Sequence, residues 1–251
     1  MHRFFLTGPL VAGELLPLAP SDVHHLRDVL RLEADARIAV VEPSGDASEV
    51  RLTSVGGGGV RAELVRSLTH SSVPRVWLIQ GLAKGEKMDL VVRQATELGV
   101  ERIVPLASER SVVRLDARKA AERAERWRRI AAEAAKQSQQ IRVPVVAELV
   151  GVSGLLATLS TCALVLLAWE DAVDASSIAA AVAASNLDAP DIVAVIVGPE
   201  GGFTSQEAAS MAANGARVVS LGPTVLRTET AGVVASALVL AARGGLGGSY
   251  R

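Results

Sequence analysis

The chain has 251 residues, of which 49% are hydrophobic and 21% charged, enough to build the core of one large or two modest globular domains. Its formal net charge of −1 gives no overall attraction to nucleic acid, so a basic binding surface would have to be local. The single cysteine, Cys162, excludes an intramolecular disulfide framework and a cysteine zinc cluster, and its apolar neighbours indicate a small buried hydrophobe.

Neither a targeting segment nor a membrane span is favoured by the sequence. The first residues, MHRFFLTGPL, lack the organisation of a secretory signal, so we expect a cytoplasmic protein. Residues 149–169 carry no charge and are long enough to span a bilayer. Small and polar residues such as Gly151 and Ser153 interrupt this run, and ALVLLAW has the length of a buried strand, so we expect no membrane contact.

Residues 1–72 are predicted to contain short strands. RIAVVEP, SEVRLTSV and VRAELVRSL are rich in β-forming residues, and turn-forming SGDAS and GGGG separate them. This pattern is typical of hairpins in a small barrel or sheet. HSSVPR then indicates a linker.

The segment SDVHHLRDVLRL within this first part predicts a short helix. Ser21 or Asp22 can act as its N-cap, because either side chain can accept a hydrogen bond from the first turn. The apolar residues expected on one buried face are Val23, Leu26, Val29 and Leu30.

From residue 75 onward, predicted strands alternate with helices. EKMDLVVRQATELG is expected to be a helix that ends at Gly99, and ARKAAERAERWRRIAAEAAKQSQQ a long helix with Trp127, Ile130 and Ala134 toward the core. The expected strands are RVWLIQGLA, RIVPLAS, VPVVAEL, ALVLLAW, DIVAVIVG and ARVVSLG, and the further helices are ASSIAAAVAA, TSQEAASMAANG and TAGVVASALVLAARGG. Such alternation predicts an α/β fold with a mainly parallel sheet that binds ligands at the carboxyl ends of its strands.

Two loops stand out because each directly follows a predicted strand. GPEGGF at 198–203 has three glycines that let a ligand approach the backbone, and a capping box of Thr204 and Glu207 follows it. LGPTVLRTETA at 221–231 leads into an apolar helix that Thr228 or Thr230 would cap. Taken alone, GPEGGF is equally consistent with an ordinary tight turn. LGPTVLRTETA alone is consistent with a surface Arg–Glu ion pair and a helix cap. Their expected meeting at one edge of the sheet favours a pocket.

Neither loop matches a known phosphate-binding fingerprint. The chain has no G-x-x-x-x-G-K-[ST], and GPEGG is not G-x-G-x-x-G. A nicotinamide dehydrogenase would need the dinucleotide fingerprint, so its absence argues against that class.

Four motifs in chain order, KGEKMDLVVRQATELGV, SERSVV, GPEGGF and SLGPTVLRTETA, resemble the RsmE family of ribosomal RNA methyltransferases, which methylate N3 of a uridine in the small-subunit RNA. HRFF and HHLRDVLRL resemble that family's amino-terminal RNA-binding domain. The resemblance implies a PUA-like β-barrel over residues 1–72 and a SPOUT methyltransferase domain over residues 73–251. It also implies a trefoil knot around S-adenosylmethionine and a homodimer that acts on 16S ribosomal RNA or the small ribosomal subunit.

The resemblance further implies which residues bind the cofactor: Leu167, Ala168, Gly198, Glu200, Gly201, Leu221, Gly222, Leu226, Arg227, Thr228 and Ala231. Adenine can lie between the side chains of Leu221 and Leu226 while backbone groups meet its polar edge. No metal is expected, because the sulfonium already makes the methyl group electrophilic.

The acceptor atom sets the catalytic requirement. Uracil N3 is protonated at neutral pH, so a base must remove its proton or donors must stabilise charge on the flanking carbonyl oxygens. We assign Arg227 to the stabilising role and Glu229 to the base as catalytic hypotheses. Glu229 is equally placed to interact with the dipole of the helix that follows.

RNA contacts are expected from local basic residues, because phosphate contacts position a nucleic acid without reading its sequence. The candidates are Arg3, Arg27, Arg31, Lys84, Lys87, Arg110 and Arg114. Two alternatives share many of these features: a SPOUT methyltransferase that acts on another RNA, and a non-catalytic RNA-binding ribosome-assembly factor. The intact LGPTVLRTETA segment favours the enzyme.

Overall fold

The computed structural model describes residues 1–43, 46–68, 74–140, 142–172 and 175–246. The chain forms two compact units, of which the first comprises Met1–Ser71 with Ala135–Arg142 and the second Ser72–Ala134 with Val143–Arg251. The expected boundary at residue 72, most of the HSSVPR linker and the first two residues of the SGDAS turn lie outside the described residues.

The first unit contains a four-stranded sheet. Its strands, in the spatial order β1-β2-β3-β4, are β1 (Arg3–Phe5), β2 (Arg37–Val41), β3 (Ala47–Gly56) and β4 (Gly59–Leu68). β1 pairs parallel with β2, whereas β2, β3 and β4 pair antiparallel. The hairpin expected at GGGG is confirmed, since β3 and β4 meet there. Leu26, Ile38, Val50 and Leu52 are fully buried in the core of this unit.

The predicted N-cap of the first helix is wrong. Helix α1 spans Pro20–His24, and its N-cap is Ala19, with no capping side chain. Pro20 suits the start of a helix because its fixed φ fits and its missing N–H would be unpaired there anyway. Asp22 is buried instead and accepts a hydrogen bond from Nζ of Lys136 at 2.7 Å. Its carboxylate is therefore used in tertiary packing rather than in capping.

A π-helical turn over His25–Val29 follows α1 and changes which residues are buried. The turn is closed by a hydrogen bond from the Leu30 N–H to the carbonyl of His25, five residues back. This wider turn rotates the residues after it relative to an α-helix. Leu26 is buried as expected, but Val29 is 58% exposed, so its predicted place on the buried face is wrong.

The second unit is built on an eight-stranded parallel sheet, which confirms the expected α/β class. Its strands are β5 (Arg75–Gly81), β6 (Arg102–Ala107), β7 (Val145–Val146), β8 (Val150–Gly151), β9 (Leu164–Ala168), β10 (Ser176–Ser177), β11 (Ile192–Val197) and β12 (Arg217–Ser220). The spatial order is β10-β12-β9-β11-β5-β6-β7, with β8 also paired to β6. Every pairing in this sheet is parallel.

Helices cover both faces of this sheet. They are α2 (Lys87–Leu98), α3 (Ala117–Gln137), α4 (Val152–Leu159), α5 (Ile178–Ala183), α6 (Ser205–Ala213) and α7 (Thr228–Ala242). The apolar cluster on one face includes residues of α2, α3, α5 and α7, and the cluster on the other face includes residues of α4 and α6. The central strands are apolar on both sides for this reason, as buried parallel strands generally are.

Several predicted helix features are confirmed. Gly99 ends α2 with a left-handed φ of 90°, and Thr204 with Glu207 forms the capping box of α6. Trp127 and Ala134 of α3 are buried, and the indole N–H of Trp127 donates to Oδ1 of Asp89 at 3.0 Å.

One helix is absent from the sequence prediction, and one predicted helix cap is wrong. Helix α4 was not predicted, because the small residues at its start suggested a break in the apolar run of residues 149–169. That run contains β8, α4 and β9, and no helix among the described segments is long and apolar enough to cross a membrane. Neither Thr228 nor Thr230 caps α7, whose N-cap is Arg227 in an extended conformation.

Cys162 is half-buried and packs beside the apolar cluster of α4 and α6. Burial raises the pKa of its thiol to about 11. The thiol is therefore protonated at neutral pH, and a protonated thiol is a poor nucleophile.

Helix α7 approaches β5 so closely that Gly232 has no room for a side chain. A Cβ there would lie 2.1 Å from Oε1 of Gln80 and 3.5 Å from Cδ1 of Leu78. Gln80 is fully buried, and its Nε2 is held by a hydrogen bond to Thr228, so it cannot move aside freely. We therefore expect Gly232→Ala to lower the free energy of unfolding by about 1–3 kcal/mol despite the higher helix propensity of alanine.

Chemical denaturation of Gly232→Ala and of Gly154→Ala tests this contact. Gly154 lies in α4, and the nearest atom to a Cβ there is Cβ of Val150 at 3.9 Å. The control substitution should raise the free energy of unfolding by roughly 0.5–1 kcal/mol, because alanine is the better helix former. Equal stabilisation by both substitutions would contradict the close packing of α7 on Gln80.

Candidate active site

A pocket of about 460 Å³ opens at the carboxyl ends of β9, β11 and β12, a volume within the range of about 300–1,000 Å³ usual for small-molecule sites. The two loops singled out in the sequence both contribute to it. The lining residues are Lys87, Ala168, Trp169, Glu170, Ala172, Val197, Gly198, Pro199, Glu200, Val219, Ser220, Leu221, Gly222, Pro223, Thr224, Val225, Leu226, Arg227, Thr228 and Ala231. The segment after β12 supplies the longest continuous part of this wall.

The glycines of GPEGGF allow close backbone packing on the pocket wall. A Cβ at Gly202, where φ is +67°, would lie 2.1 Å from Oε1 of Glu170. On the neighbouring strand, a Cβ at Gly81 would lie 2.2 Å from the backbone nitrogen of Pro199. The loop therefore packs against β5 and the end of β9 in a way that side chains at these positions would prevent.

A buried polar network joins three parts of the chain behind the pocket. Nε2 of Gln80 donates to Oγ1 of Thr228 at 2.8 Å, and the Thr228 hydroxyl donates to the carbonyl of Gly198. The network thus connects β5, the first residue of α7 and the residue after β11. Oε1 of Gln80 is buried and forms no hydrogen bond with the part of the chain that the structure describes.

Lys87 bridges two carboxylates at the edge of the pocket. Its Nζ lies 3.1 Å from Oε1 of Glu200 and 3.2 Å from Oε2 of Glu229. The second contact is an ion pair without hydrogen-bond alignment, because Oε2 of Glu229 has no hydrogen bond within the described residues. Contacts with Glu200 and then with Glu229 raise the pKa of Lys87. The cation therefore persists throughout the neutral range and is lost only as the pH rises through this raised value.

Glu200 is held by groups on α2 and the turn before it. Burial opposes its ionisation, but hydrogen bonds from the backbone N–H of Lys84, from its own N–H and from Lys87 outweigh this effect and lower its pKa. Oε1 of Glu200 accepts from the Lys84 N–H at 3.0 Å. Glu200 therefore stays ionised at neutral pH, and its contact with Lys87 weakens only as the pH falls through the lowered value.

Arg227 contributes a guanidinium group whose N–H donors are available to a ligand. It lines the pocket, its residue is exposed, and its guanidinium makes no hydrogen bond or ion pair with any described side chain or backbone group. A guanidinium in this position can donate to carbonyl oxygens of a bound substrate.

The structure brings nine of the cofactor candidates together on the pocket wall: Ala168, Gly198, Glu200, Leu221, Gly222, Leu226, Arg227, Thr228 and Ala231. Leu167 and Gly201 are not part of this lining. Leu167 belongs to the apolar cluster on the opposite face, because side chains alternate along β9. Gly201 packs against Arg110 instead, since a Cβ there would lie 3.0 Å from the Arg110 carbonyl oxygen.

Sequence reasoning missed several residues of this site. Trp169 and Glu170 line the pocket, and their position directly after a strand was the signal that could have identified them. Gln80 is a polar residue within the apolar segment RVWLIQGLA, which could have indicated a buried hydrogen bond. Lys87 was assigned to RNA, but its contacts are with carboxylates at the pocket.

The candidate RNA contacts of the second unit differ in their surroundings. Lys84 and Arg114 are exposed, and their side-chain cations form no ion pair among the described residues. Arg110 donates to the carbonyls of Gly201 and Phe203, each at 3.4 Å.

In the first unit, Arg27 is engaged with its neighbour Asp28, and the hydrogen bond from Arg27 lowers the pKa of Asp28 to about 2. Arg3 donates to the carbonyl of Gln139, and burial lowers its pKa. Arg31 is exposed and has a left-handed φ of 51°. Arg31 is therefore the candidate of this unit whose cation has no partner among the described residues.

The fold and the pocket have counterparts among known proteins. The RNA methyltransferase domain family matches residues 69–240, so the second unit defines the chain as a member of that class. The ribosomal RNA small subunit methyltransferase E of Bacillus subtilis is 32% identical over 237 residues, which cover 92% of this chain and 93% of the relative. That of Aquifex aeolicus is 34% identical over 233 residues, with 92% and 95% covered.

A solved structure extends the likeness to three dimensions. It is the crystal structure of a ribosomal RNA small subunit methyltransferase E from Neisseria gonorrhoeae bound to S-adenosyl methionine. It is 31% identical, has a TM-score of 0.76, and is matched over 95% of its length by 94% of this chain. The chain belongs to the ribosomal RNA small subunit methyltransferase E family, which confirms the resemblance drawn from its motifs.

Loss of the Thr228 hydroxyl should destabilise the protein. Thr228→Val keeps the shape of the side chain but leaves the Gly198 carbonyl without its donor and Nε2 of Gln80 without its nearest acceptor. Because both groups are buried, we expect the free energy of unfolding to fall by about 1–3 kcal/mol, as measured by chemical denaturation.

Thr230→Val is the matched control for this substitution. Thr230 lies two residues further along α7, is exposed, and its hydroxyl makes no hydrogen bond with the described part of the chain. Its replacement should change stability by less than about 0.5 kcal/mol. Similar effects of the two substitutions would show that the buried network does not stabilise the fold.

Proposed function

We propose that the chain is an S-adenosylmethionine-dependent methyltransferase that methylates N3 of a uridine in the 16S ribosomal RNA of the small subunit. The observation that carries this proposal is the pocket at the sheet edge, whose walls come from the two loops singled out by sequence. It is supported by family membership and by the relative from Neisseria gonorrhoeae, which is described as bound to S-adenosyl methionine. The cavity volume of about 460 Å³ is in the range usual for sites that bind a molecule of this size.

The residues of the pocket fit such a cofactor. Leu221 and Leu226 are partly buried apolar side chains between which adenine can pack, and Ala231 leaves room beside them. Carboxylates on the wall suit a ligand that carries a sulfonium and an ammonium group. When bound, S-adenosylmethionine supplies an electrophilic methyl group, so the chain's own residues need only position the acceptor and handle its proton. Among the described residues, no group of three or more His, Cys, Asp or Glu side chains could hold a metal ion.

We also propose that the segment after β12 forms part of a trefoil knot. β12 lies beside β9, whereas Thr228 at the start of α7 is bonded to Gln80 in β5 and to Gly198 after β11. The chain between Ser220 and Thr228 must therefore cross the ends of β9 and β11 to reach β5. Such a crossing supports the proposed threading, which general topology rules treat as a rare exception.

The remaining parts of the proposal concern domains and assembly. We propose that residues 1–72 form a PUA-like RNA-binding barrel, supported by the four-stranded sheet of the first unit, and that residues 73–251 form the SPOUT domain. We propose a homodimer through α7, where Leu238 is an apolar side chain left 39% exposed. A ribosomal RNA substrate would place the protein in the cytoplasm.

Arg227 and Glu229 are the proposed catalytic residues. The available donors of Arg227 would stabilise negative charge on a uracil carbonyl oxygen as the N3 proton leaves. Glu229 would accept that proton. Its contact with Lys87 supports a second role, in which Glu229 instead holds Lys87 in place beside Glu200.

A methylation assay tests the proposed reaction. Purified protein is incubated with labelled S-adenosylmethionine and small ribosomal subunits from cells that lack the activity, and the labelled base is mapped by mass spectrometry. We expect label on N3 of a uridine in 16S RNA. Arg227→Ala should lower kcat by about 10²–10³-fold, because an electrostatic donor to the transition state is lost. Arg118→Ala is the control, since Arg118 is exposed on α3 and outside the pocket.

The outcomes separate the alternatives. Cofactor binding with label only on another RNA would favour a different substrate for the same enzyme class. Failure of the folded protein to bind the cofactor would favour a non-catalytic RNA-binding ribosome-assembly factor. Near-normal turnover of a folded Arg227→Ala protein would remove Arg227 from the mechanism.

The pH dependence of kcat distinguishes the two roles of Glu229. If Glu229 is the base, Glu229→Gln should lower kcat by about 10²–10⁴-fold and remove the acidic limb of the profile. Lys87→Met, which removes the cation but leaves the carboxylate, should then retain that limb. A small loss that is equal in the two variants, with the limb kept in both, would instead assign Glu229 to positioning Lys87.

A further inference from the structure

Glu170 is an acidic residue that lines the pocket, and none of the sequence motifs assigns a role to it. It lies two residues after the end of β9 and lines the cavity with its neighbour Trp169. β9 lies between β12 and β11 in the sheet. Glu170 therefore follows the middle one of the three strands whose carboxyl ends border the pocket. A side chain in this position can reach a ligand that extends from one loop to the other.

Close packing keeps the Glu170 carboxylate beside the loop that follows β11. A Cβ at Gly202 would lie 2.1 Å from Oε1 of Glu170 and 3.1 Å from its Cδ. The missing side chain of Gly202 thus makes the space that the carboxylate occupies. Glu170 is an exposed residue whose carboxylate lies over the glycine loop, so its oxygens are accessible from the pocket.

The carboxylate of Glu170 has its acceptor sites available. Its oxygens make no hydrogen bond or ion pair with any residue that the structure describes. The other carboxylate of the lining differs, because Glu200 accepts from the Lys84 N–H and pairs with Lys87. Glu170 is thus the lining carboxylate that a bound ligand can use.

We propose that Glu170 binds the ribose hydroxyls of the cofactor, an inference that rests on the proposed function. Adenine between Leu221 and Leu226 would lie on the side of the loop after β12, whereas Glu170 lies against the loop after β11. The ribose is the part of the cofactor attached directly to adenine, so it extends toward Glu170. A carboxylate accepts hydrogen bonds from sugar hydroxyls in the same way in dinucleotide sites, where an acidic residue holds the ribose.

Calorimetric binding to the full chain tests this assignment with three ligands. S-adenosylmethionine and S-adenosylhomocysteine carry both the ribose and the amino-acid end, whereas 5′-methylthioadenosine is uncharged and lacks the amino-acid end. We expect Glu170→Gln to weaken all three by about tenfold or more, because hydrogen bonds to a charged acceptor are lost. In turnover, KM for S-adenosylmethionine should rise while kcat changes little.

Asp171→Asn is the matched control, since Asp171 is the next residue, is exposed and does not line the pocket. It removes the same charge and should leave all three affinities within about twofold of the unchanged protein. The loss in Glu170→Gln should also vanish with 2′-deoxy-5′-methylthioadenosine if the 2′-hydroxyl is the partner. Thermal unfolding without ligand checks that both variants fold.

Each contrary outcome has its own meaning. If the unchanged protein binds none of the adenosine ligands, the proposed function fails and the assignment fails with it. If the unchanged protein binds them and Glu170→Gln binds equally well, the assignment alone is overturned. A loss confined to the two ligands with an amino-acid end would show that Glu170 meets the ammonium group, which also overturns the ribose assignment.

Discussion

The hydrogen bonds from Gln80 to Thr228 and from Thr228 to Gly198 are the interaction on which the candidate site depends. All three residues are buried, and an unpaired polar group in that setting costs roughly 1–3 kcal/mol, so the contacts fix where α7 can begin. Because α7 starts there, the segment from Leu221 must cross the ends of two strands. That crossing forms the long wall of the pocket.

Small residues allow the backbone to satisfy this constraint. Gly232 admits the Gln80 amide against α7, Gly81 admits Pro199 against β5, and Gly202 admits the Glu170 carboxylate. A Cβ at any of these positions would lie between 2.1 and 2.2 Å from the nearest atom. The pocket is therefore shaped by the absence of side chains as much as by the residues that line it.

Some charged side chains of the site pair with one another, and others are available to a ligand. Lys87 pairs with Glu200, and Glu229 adds a second carboxylate beside the same cation, so these ion pairs connect α2 to the loop after β11 and to the first turn of α7. Arg227 and Glu170 have no such partner among the described residues and line the same cavity. One cation and one carboxylate thus remain for chemistry and for binding.

The sequence by itself determined the elements with strong periodicity or clear end signals. It predicted the parallel α/β class, α2 with Gly99 at its end, the capping box of α6, and the two loops at the sheet edge, because local patterns specify these. Only the tertiary structure decided how polar residues are used. Thr228 bonds to distant Gly198 rather than capping α7, Lys87 pairs with carboxylates, and Gln80 is buried, since the partners of each come from remote parts of the chain.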